Sequence, residues 1–195
     1  FDAFIDRKQR FAVYRIAGVK IPCLVTQEEG AVRLIYDLQE LNGQRGFVSA
    51  PFRPNETCPI LLIQSNGPGQ PLLLADDADA VPRDIPSTDY PSCSEEYAEC
   101  FRTFISALRD KTFEKLVLSR KLTIGKPSAF SPSLAFRAAC QRYIHSYIYL
   151  CYTPQTGIWL GSTPEIILSG EKDDWHTVAL AGTQPLQDGK LPQVW

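Results

Sequence analysis

Short apolar runs between turn residues constrain the fold of this chain more than any other feature. In the first 75 residues the runs are separated by turn sequences such as Asn42-Gly43 and Asn66-Gly67, and Asn and Gly tolerate the positive φ that tight turns need. Runs of this length between turns predict β-strands. The predicted strands of this part are residues 11–16, 21–25, 31–35, 46–51 and 59–64.

Two helices are predicted in the rest of the chain. Ser92 and Glu95 form a capping box, and apolar residues recur at helical spacing from Tyr97 to Leu108. Ser131-Pro132, an N-cap followed by proline, predicts a second helix that runs towards Tyr143. Further strands are predicted at 113–124, 147–152, 157–161, 166–169 and 177–181. The pattern predicts an α/β (α+β) fold, a largely antiparallel sheet packed with helices.

Composition excludes several classes of protein. The chain has 195 residues, of which 44% are hydrophobic and 22% charged, with a net charge of −2. This is typical of a globular domain, and the lack of a basic cluster argues against nucleic acid and membrane surfaces as partners. None of the six cysteines forms a CxxC pair or stands at zinc-ligand spacing from His145 or His176. We therefore expect free thiols and a cytoplasmic protein.

A lysine on the predicted strand 113–124 is the first candidate for chemistry. Because alternate residues of a strand share a face, Lys115 would lie beside Phe113 and Val117, with Leu116 opposite. On a strand buried on both sides the amine would be partly desolvated, which disfavours the ammonium, as a general base requires. The alternative is a lysine that reaches solvent at the end of a strand.

An acidic residue next to a stiff turn is the second candidate. Residues 161–165 read Gly-Ser-Thr-Pro-Glu and precede an apolar strand. Pro164 fixes its own φ and restricts the residue before it, so the backbone ahead of Glu165 is stiff. A carboxyl group beside apolar strands can serve as a proton donor. The alternative is an acidic residue exposed in a turn.

A glycine after a predicted strand is the third candidate. Residues 178–183 read Val-Ala-Leu-Ala-Gly-Thr. Gly182 allows a ligand to approach the backbone, and its amide together with that of Thr183 could hold a carboxylate. By itself the segment could be any junction between a strand and a turn.

From about Ser92 onward the chain resembles the chorismate-utilising enzymes, which include isochorismate, salicylate, anthranilate and aminodeoxychorismate synthases. Three motifs carry the resemblance, in the order of the family: Lys-Leu-Val-Leu-Ser-Arg at 115–120, Gly-Ser-Thr-Pro-Glu at 161–165 and Ala-Leu-Ala-Gly-Thr at 179–183. The resemblance divides the chain into a variable, strand-rich part, 1–91, and the first part of the chorismate-binding domain, 92–195.

Individual residues indicate a branch of that family. The ammonia-using enzymes typically carry glutamine where Lys115 stands, and the aminodeoxychorismate type often has a lysine where Ala181 stands. The chain therefore resembles the water-adding branch, isochorismate or salicylate synthase. Gln184-Pro185 is closer to the menaquinone-pathway isochorismate synthases, although Gln184 replaces an arginine common in the wider family. The sequence does not decide whether the product would serve the synthesis of menaquinone or of siderophores.

The resemblance implies a role for each motif. Lys115 would be the general base that activates water for attack at C2 of chorismate, and Glu165 the general acid that protonates the departing 4-hydroxyl. Ala181, Gly182 and Thr183 would bind substrate near the ring carboxylate, which Mg²⁺ holds in the family.

The resemblance implies that the family's Mg²⁺ ligands belong to a further part of the domain, which we expect residues 1–195 to lack. We therefore expect no metal ligand in this chain and no turnover by residues 1–195 alone. We also expect exposed strand edges, through which two copies could dimerise. A lobe that binds chorismate without catalysis is the alternative to an enzyme.

Overall fold

The computed structural model describes residues 1–65, 67–73, 95–128 and 130–180. These residues form two compact units, one made of Phe1–Val81 with Ser131–Trp195 and the other of Pro82–Phe130. Three helices and ten strands are described. The helices are α1 (Asp2–Asp6), α2 (Glu95–Arg109) and α3 (Pro132–Arg142), and the strands are β1 (Arg10–Arg15), β2 (Cys23–Gln27), β3 (Arg33–Ile35), β4 (Gly46–Ser49), β5 (Ile60–Gln64), β6 (Gln70–Pro71), β7 (Tyr147–Thr153), β8 (Gly157–Thr163), β9 (Ile166–Glu171) and β10 (Asp174–Val178).

Every strand pair of the first unit is antiparallel. The largest sheet has five strands in the order β6-β2-β1-β7-β8. A second sheet has the order β3-β5-β4, and β9 and β10 form a separate hairpin. Because β1 pairs with β7, strands from the two ends of the described chain share one sheet. The fold class predicted from the sequence, α+β with a largely antiparallel sheet, is confirmed.

The five-stranded sheet has a core on each of its two faces. On one face Phe11 and Val13 of β1 pack with Phe136 of α3. On the other face Ala12 packs with Phe47 of the three-stranded sheet. Neighbouring residues of β1 point to opposite faces, so this strand supplies both cores and is buried along most of its length.

Both predicted helices are observed. Ser131 caps α3, because its hydroxyl accepts a hydrogen bond from the Leu134 amide at 3.2 Å. The predicted cap of α2 at Ser92 lies outside the described residues. Asp2 of α1 adds a further contact to the start of α3, because its carboxylate accepts hydrogen bonds from the hydroxyls of Ser131 at 2.7 Å and Ser133 at 2.8 Å. None of the described helices has the length and apolar character needed to cross a bilayer.

The predicted strand at 113–124 is wrong. The described part of this segment has no regular secondary structure and pairs with no described strand. A strand needs a neighbour to accept its backbone hydrogen bonds, and alternating apolar residues do not supply one. The side chains of Phe113, Val117 and Ile124 are consequently exposed, the last two by 77% and 67%.

The predicted boundary between residues 91 and 92 lies outside the described residues and stays a prediction. Three short elements have no counterpart in the sequence analysis. These are helix α1, strand β6 and the 3-10 turn Leu38–Leu41.

Candidate functional site

The segment Gly-Ser-Thr-Pro-Glu lies where the chain passes from one sheet to another. Strand β8 ends at Thr163 as the edge strand of the five-stranded sheet, and β9 begins at Ile166 in the separate hairpin. Only Pro164 and Glu165 stand between them. The carboxyl group of Glu165 therefore lies at a joint between two sheets, and its side chain is exposed, as in the alternative of an acidic residue in a turn. Its role as a general acid stays a prediction.

Two hydrogen bonds hold Glu165 at this joint. Its amide donates to the hydroxyl of Thr163 at 3.2 Å, which fixes the turn around Pro164. Its carboxylate oxygen Oε1 accepts from the amide of Leu180 at 3.2 Å. Leu180 belongs to the segment Ala-Leu-Ala-Gly-Thr at 179–183. The structure therefore brings the second and third sequence motifs into direct contact.

The end of the hairpin supports the same contact. Val178 pairs with Ile166, and the pairing register shifts between His176 and Val178. At this irregularity the hydroxyl of Thr177 donates to the carbonyl oxygen of Ile167 at 2.7 Å. A bulge of this kind bends its strand, and here it lies directly before the residues that contact Glu165.

A row of aromatic rings lies on the sheet beside the joint. Tyr149 lies 5.9 Å from Phe47 and 6.1 Å from Tyr147 between ring centroids, and Tyr147 stacks on Tyr14 at 5.8 Å. Burial raises the pKa of the Tyr147 phenol well above its usual range, and the neighbouring Tyr14 adds to the shift. The Tyr147 phenol is therefore neutral at physiological pH and acts as packing. We call Phe47, Tyr149, Tyr147 and Tyr14 the aromatic row.

Gly161 lets the aromatic row pack against the motif. It faces Tyr149 in the pairing of β7 with β8. A Cβ atom at Gly161 would lie 2.2 Å from Cε1 of Tyr149, so the ring occupies the space that any larger side chain needs. Glycine at this position of the motif therefore has a packing reason, two residues before β8 ends at Thr163.

We expect Gly161→Ala to lower the free energy of unfolding by about 2–3 kcal/mol, because the added methyl group must displace a ring that is packed on both sides. Urea denaturation followed by circular dichroism measures this. Gly67→Ala is the matched control, since a Cβ atom there meets nothing within 4 Å.

A second variant tests the cause of that loss. In a Tyr149→Leu background the ring is gone, so Gly161→Ala should cost clearly less than it does in the original chain. Equal costs in both backgrounds, or a cost of Gly161→Ala no larger than that of Gly67→Ala, would contradict the packing argument.

Lys115 lies in the second unit, in the irregular segment that follows α2. Its side chain is exposed, as are those of Phe113 and Val117, whereas Leu116 is half-buried. Lys115 therefore shares an exposed side of the segment with Phe113 and Val117, as the predicted alternation of faces requires. The expected burial of Lys115 on a strand covered on both faces is wrong. No described contact tests the role of Lys115 as a general base, so that role stays a prediction.

The motif that contains Lys115 makes a contact with helix α2. The guanidinium of Arg120, the last residue of the motif, lies 5.9 Å from the ring centroid of Tyr97, within the range of a cation–π interaction. Tyr97 in turn stacks on Phe101 at 6.4 Å. Tyr97, a residue of the apolar face predicted for this helix, therefore contacts the motif through Arg120.

Of the third motif, Ala179 and Leu180 are described, whereas Ala181, Gly182 and Thr183 lie outside the described residues. Their role in binding substrate stays a prediction. In the described parts of the chain no three His, Cys, Asp or Glu side chains come together as metal ligands. The described residues therefore do not fit a Mg²⁺ site by themselves.

Comparison with known proteins identifies one family. A family model described as "Chorismate binding enzyme" matches residues 75–191, which is more than half of the chain and includes all three motifs. No curated protein and no solved structure matches the chain.

Proposed function

Since the chain belongs to the chorismate-binding enzyme family, we propose that it serves as an isochorismate synthase, an isomerase that adds water at C2 of chorismate and removes the 4-hydroxyl. The observation that carries the proposal is the hydrogen bond between Glu165 and Leu180. It joins the carboxyl group of one motif to the backbone of another, as a shared site requires. Lys115 supports the water-adding branch, because the ammonia-using relatives typically carry glutamine there.

The proposed reaction needs one base and one acid. Lys115 as a neutral amine takes a proton from water, and the oxygen of that water forms a bond to C2. Glu165 as a carboxylic acid gives its proton to the 4-hydroxyl, which leaves as water while the two ring double bonds shift. Water is a poor nucleophile and hydroxide a poor leaving group, so both proton transfers lower the barrier. After the reaction the amine gives its extra proton to solvent and the carboxylate takes one up, which restores both groups.

Mg²⁺ is part of the proposal as the ion that neutralises the ring carboxylate of the substrate. Its support is the family resemblance, since the described residues offer no ligand set. We also propose that the protein works in the cytoplasm, where the five described cysteines would stay reduced. All five are free thiols, and burial raises the pKa of Cys151 to about 11, which keeps that thiol unreactive.

Product analysis tests the proposed function. The protein, as its natural gene encodes it, is incubated with chorismate and Mg²⁺, and the products are separated by chromatography. We expect isochorismate. Salicylate with release of pyruvate would instead identify a salicylate synthase, and formation of an amino product in the presence of ammonia would contradict the water-adding branch.

The same assay tests the catalytic competence of residues 1–195. We propose, on the family resemblance, that residues 1–195 alone do not turn chorismate over. Robust formation of isochorismate by residues 1–195 would overturn that part of the proposal. Binding of chorismate without turnover by the natural gene product would favour the non-catalytic lobe.

A further inference from the structure

An extra residue in β9 interrupts the β9–β10 hairpin close to the proposed acid. The pairing is regular up to His176 and is displaced by one residue at Val178. Opposite Thr177, which lies between these two, β9 has two residues instead of one. These are Ile167 and Leu168. Two residues opposite one is the pattern of a β-bulge.

The side chain of Thr177 contacts the backbone of this bulge. Its hydroxyl donates to the carbonyl oxygen of Ile167 at 2.7 Å, and the carbonyl oxygen of Ile166 lies 3.5 Å from the same hydroxyl. A bulge interrupts the ladder of backbone hydrogen bonds, and a carbonyl group at the interruption needs another donor. The Thr177 hydroxyl is such a donor, so it stabilises the bulge against the regular pairing.

The bulge changes which residue lies opposite Glu165. If the regular pairing continued past His176, Leu180 would lie directly opposite Glu165. The displaced pairing, extended in the same way, brings Ala179 opposite Glu165 instead. Because side chains alternate along a strand, a displacement by one residue also turns the side chain of Glu165 to the other face of the hairpin.

The contact between Glu165 and Leu180 fits the displaced pairing. The Leu180 amide donates to the carboxylate oxygen Oε1 at 3.2 Å. In the regular pairing this amide would face the backbone of Glu165, and the carboxylate would project from the other face. The carboxylate therefore reaches the Leu180 amide in the register that the Thr177 hydroxyl stabilises.

We propose that Thr177 is a positioning residue for the acid of the proposed reaction. Its hydroxyl holds the bulge, and the bulge holds the carboxyl group of Glu165 against the segment at 179–183. This inference rests on the proposed function, in which Glu165 protonates the departing hydroxyl. Thr177 acts through Glu165 and takes no part in the proton transfer itself.

Thr177→Val tests the role of the hydroxyl. Valine keeps a branched side chain of similar size that suits a strand, and Thr177 is exposed, so the variant should fold. In the natural gene product we expect kcat for chorismate to fall about tenfold with little change in KM, because a misplaced acid slows the chemical step and leaves binding intact. Thr177→Ser keeps the hydroxyl and should restore most of the lost rate.

Thr103→Val is the matched control. The Thr103 hydroxyl is also exposed and also donates to a backbone carbonyl, that of Glu99 at 3.2 Å, but it lies on helix α2. We expect kcat of this variant to stay unchanged. Circular dichroism compares the folding of all three variants with that of the original protein.

A second measurement needs no turnover. When the leucines carry an NMR-active nitrogen isotope, the Leu180 amide signal reports its hydrogen bond to Glu165, and its disappearance in Leu180→Ile identifies it. We expect Thr177→Val to move this signal towards its position in Glu165→Ala, where the acceptor is missing. Thr177→Ser should leave the signal in place.

Three results would overturn the positioning role: an unmoved Leu180 signal in Thr177→Val, an equal loss of rate in Thr177→Val and Thr177→Ser, or an equal loss in Thr103→Val. If the original protein itself does not convert chorismate to isochorismate, the proposed function fails instead. The Leu180 signal then still decides whether the Thr177 hydroxyl holds the carboxyl group in place.

Discussion

Replacing Lys115 by alanine is expected to lower the rate of isochorismate formation about a thousandfold, with little change in KM for chorismate. Water at neutral pH is a weak nucleophile, and a positioned base accelerates its attack by roughly 10²–10⁴-fold. The steady-state rate of the natural gene product, measured with chorismate and Mg²⁺, gives kcat and KM separately. A fall in kcat at constant KM is the signature of a group needed for the chemical step.

Lys121→Ala is the matched control for this change. Lys121 lies six residues later in the same irregular segment and is also exposed, so its loss removes the same charge from the same part of the chain. We expect it to keep most of the activity. If Lys115→Ala retains the original rate, or if both variants lose activity equally, Lys115 is not the base.

Glu165→Gln should cause a loss of similar size, again about a thousandfold in kcat, because an amide cannot protonate the departing 4-hydroxyl. Glutamine keeps a side-chain oxygen that can accept the hydrogen bond from Leu180, so the contact between the two motifs is retained. The substitution therefore separates proton transfer from the structural role of the side chain. Rates and unfolding curves of the two proteins provide the comparison.

Glu171→Gln provides the control for the loss of a carboxylate in the same hairpin. Glu171 ends β9, and its exposed side chain lies 3.8 Å from the amine of Lys172. Its replacement should leave kcat unchanged. Retained activity in Glu165→Gln would remove the acid assignment, and a matching loss of folded protein would show that the residue acts only through structure.

Local pattern was enough to predict most elements of the first unit. The runs that became β1, β5 and β7 are apolar on both faces because both faces of their sheets are covered. Which strands pair could not be predicted, since the partners β1 and β7 lie more than a hundred residues apart and pairing depends on the assembled chain. The same holds for the segment 113–124. Its alternating apolar residues predict a strand, but no described strand pairs with it.

The candidate site, too, could be predicted only in part from the sequence. Pro164 and Glu165 could be singled out because the proline restricts the backbone at its own position and at Thr163, directly before an acidic residue. The contact of Glu165 with Leu180 follows an irregularity in the pairing of β9 with β10, and no residue type predicts either of them.

The joint at Pro164 has a practical consequence for spectroscopy. Trp159 lies on β8 before the joint and Trp175 on β10 after it, and each indole donates a hydrogen bond to a turn carbonyl, of Thr156 at 3.1 Å and Lys172 at 2.7 Å. Both rings are more than half exposed. Variants that lack Trp195 and keep only one of these two indoles would therefore give separate fluorescence reporters for the two sheets. Quenching of each could follow opening on either side of Glu165 without an added dye.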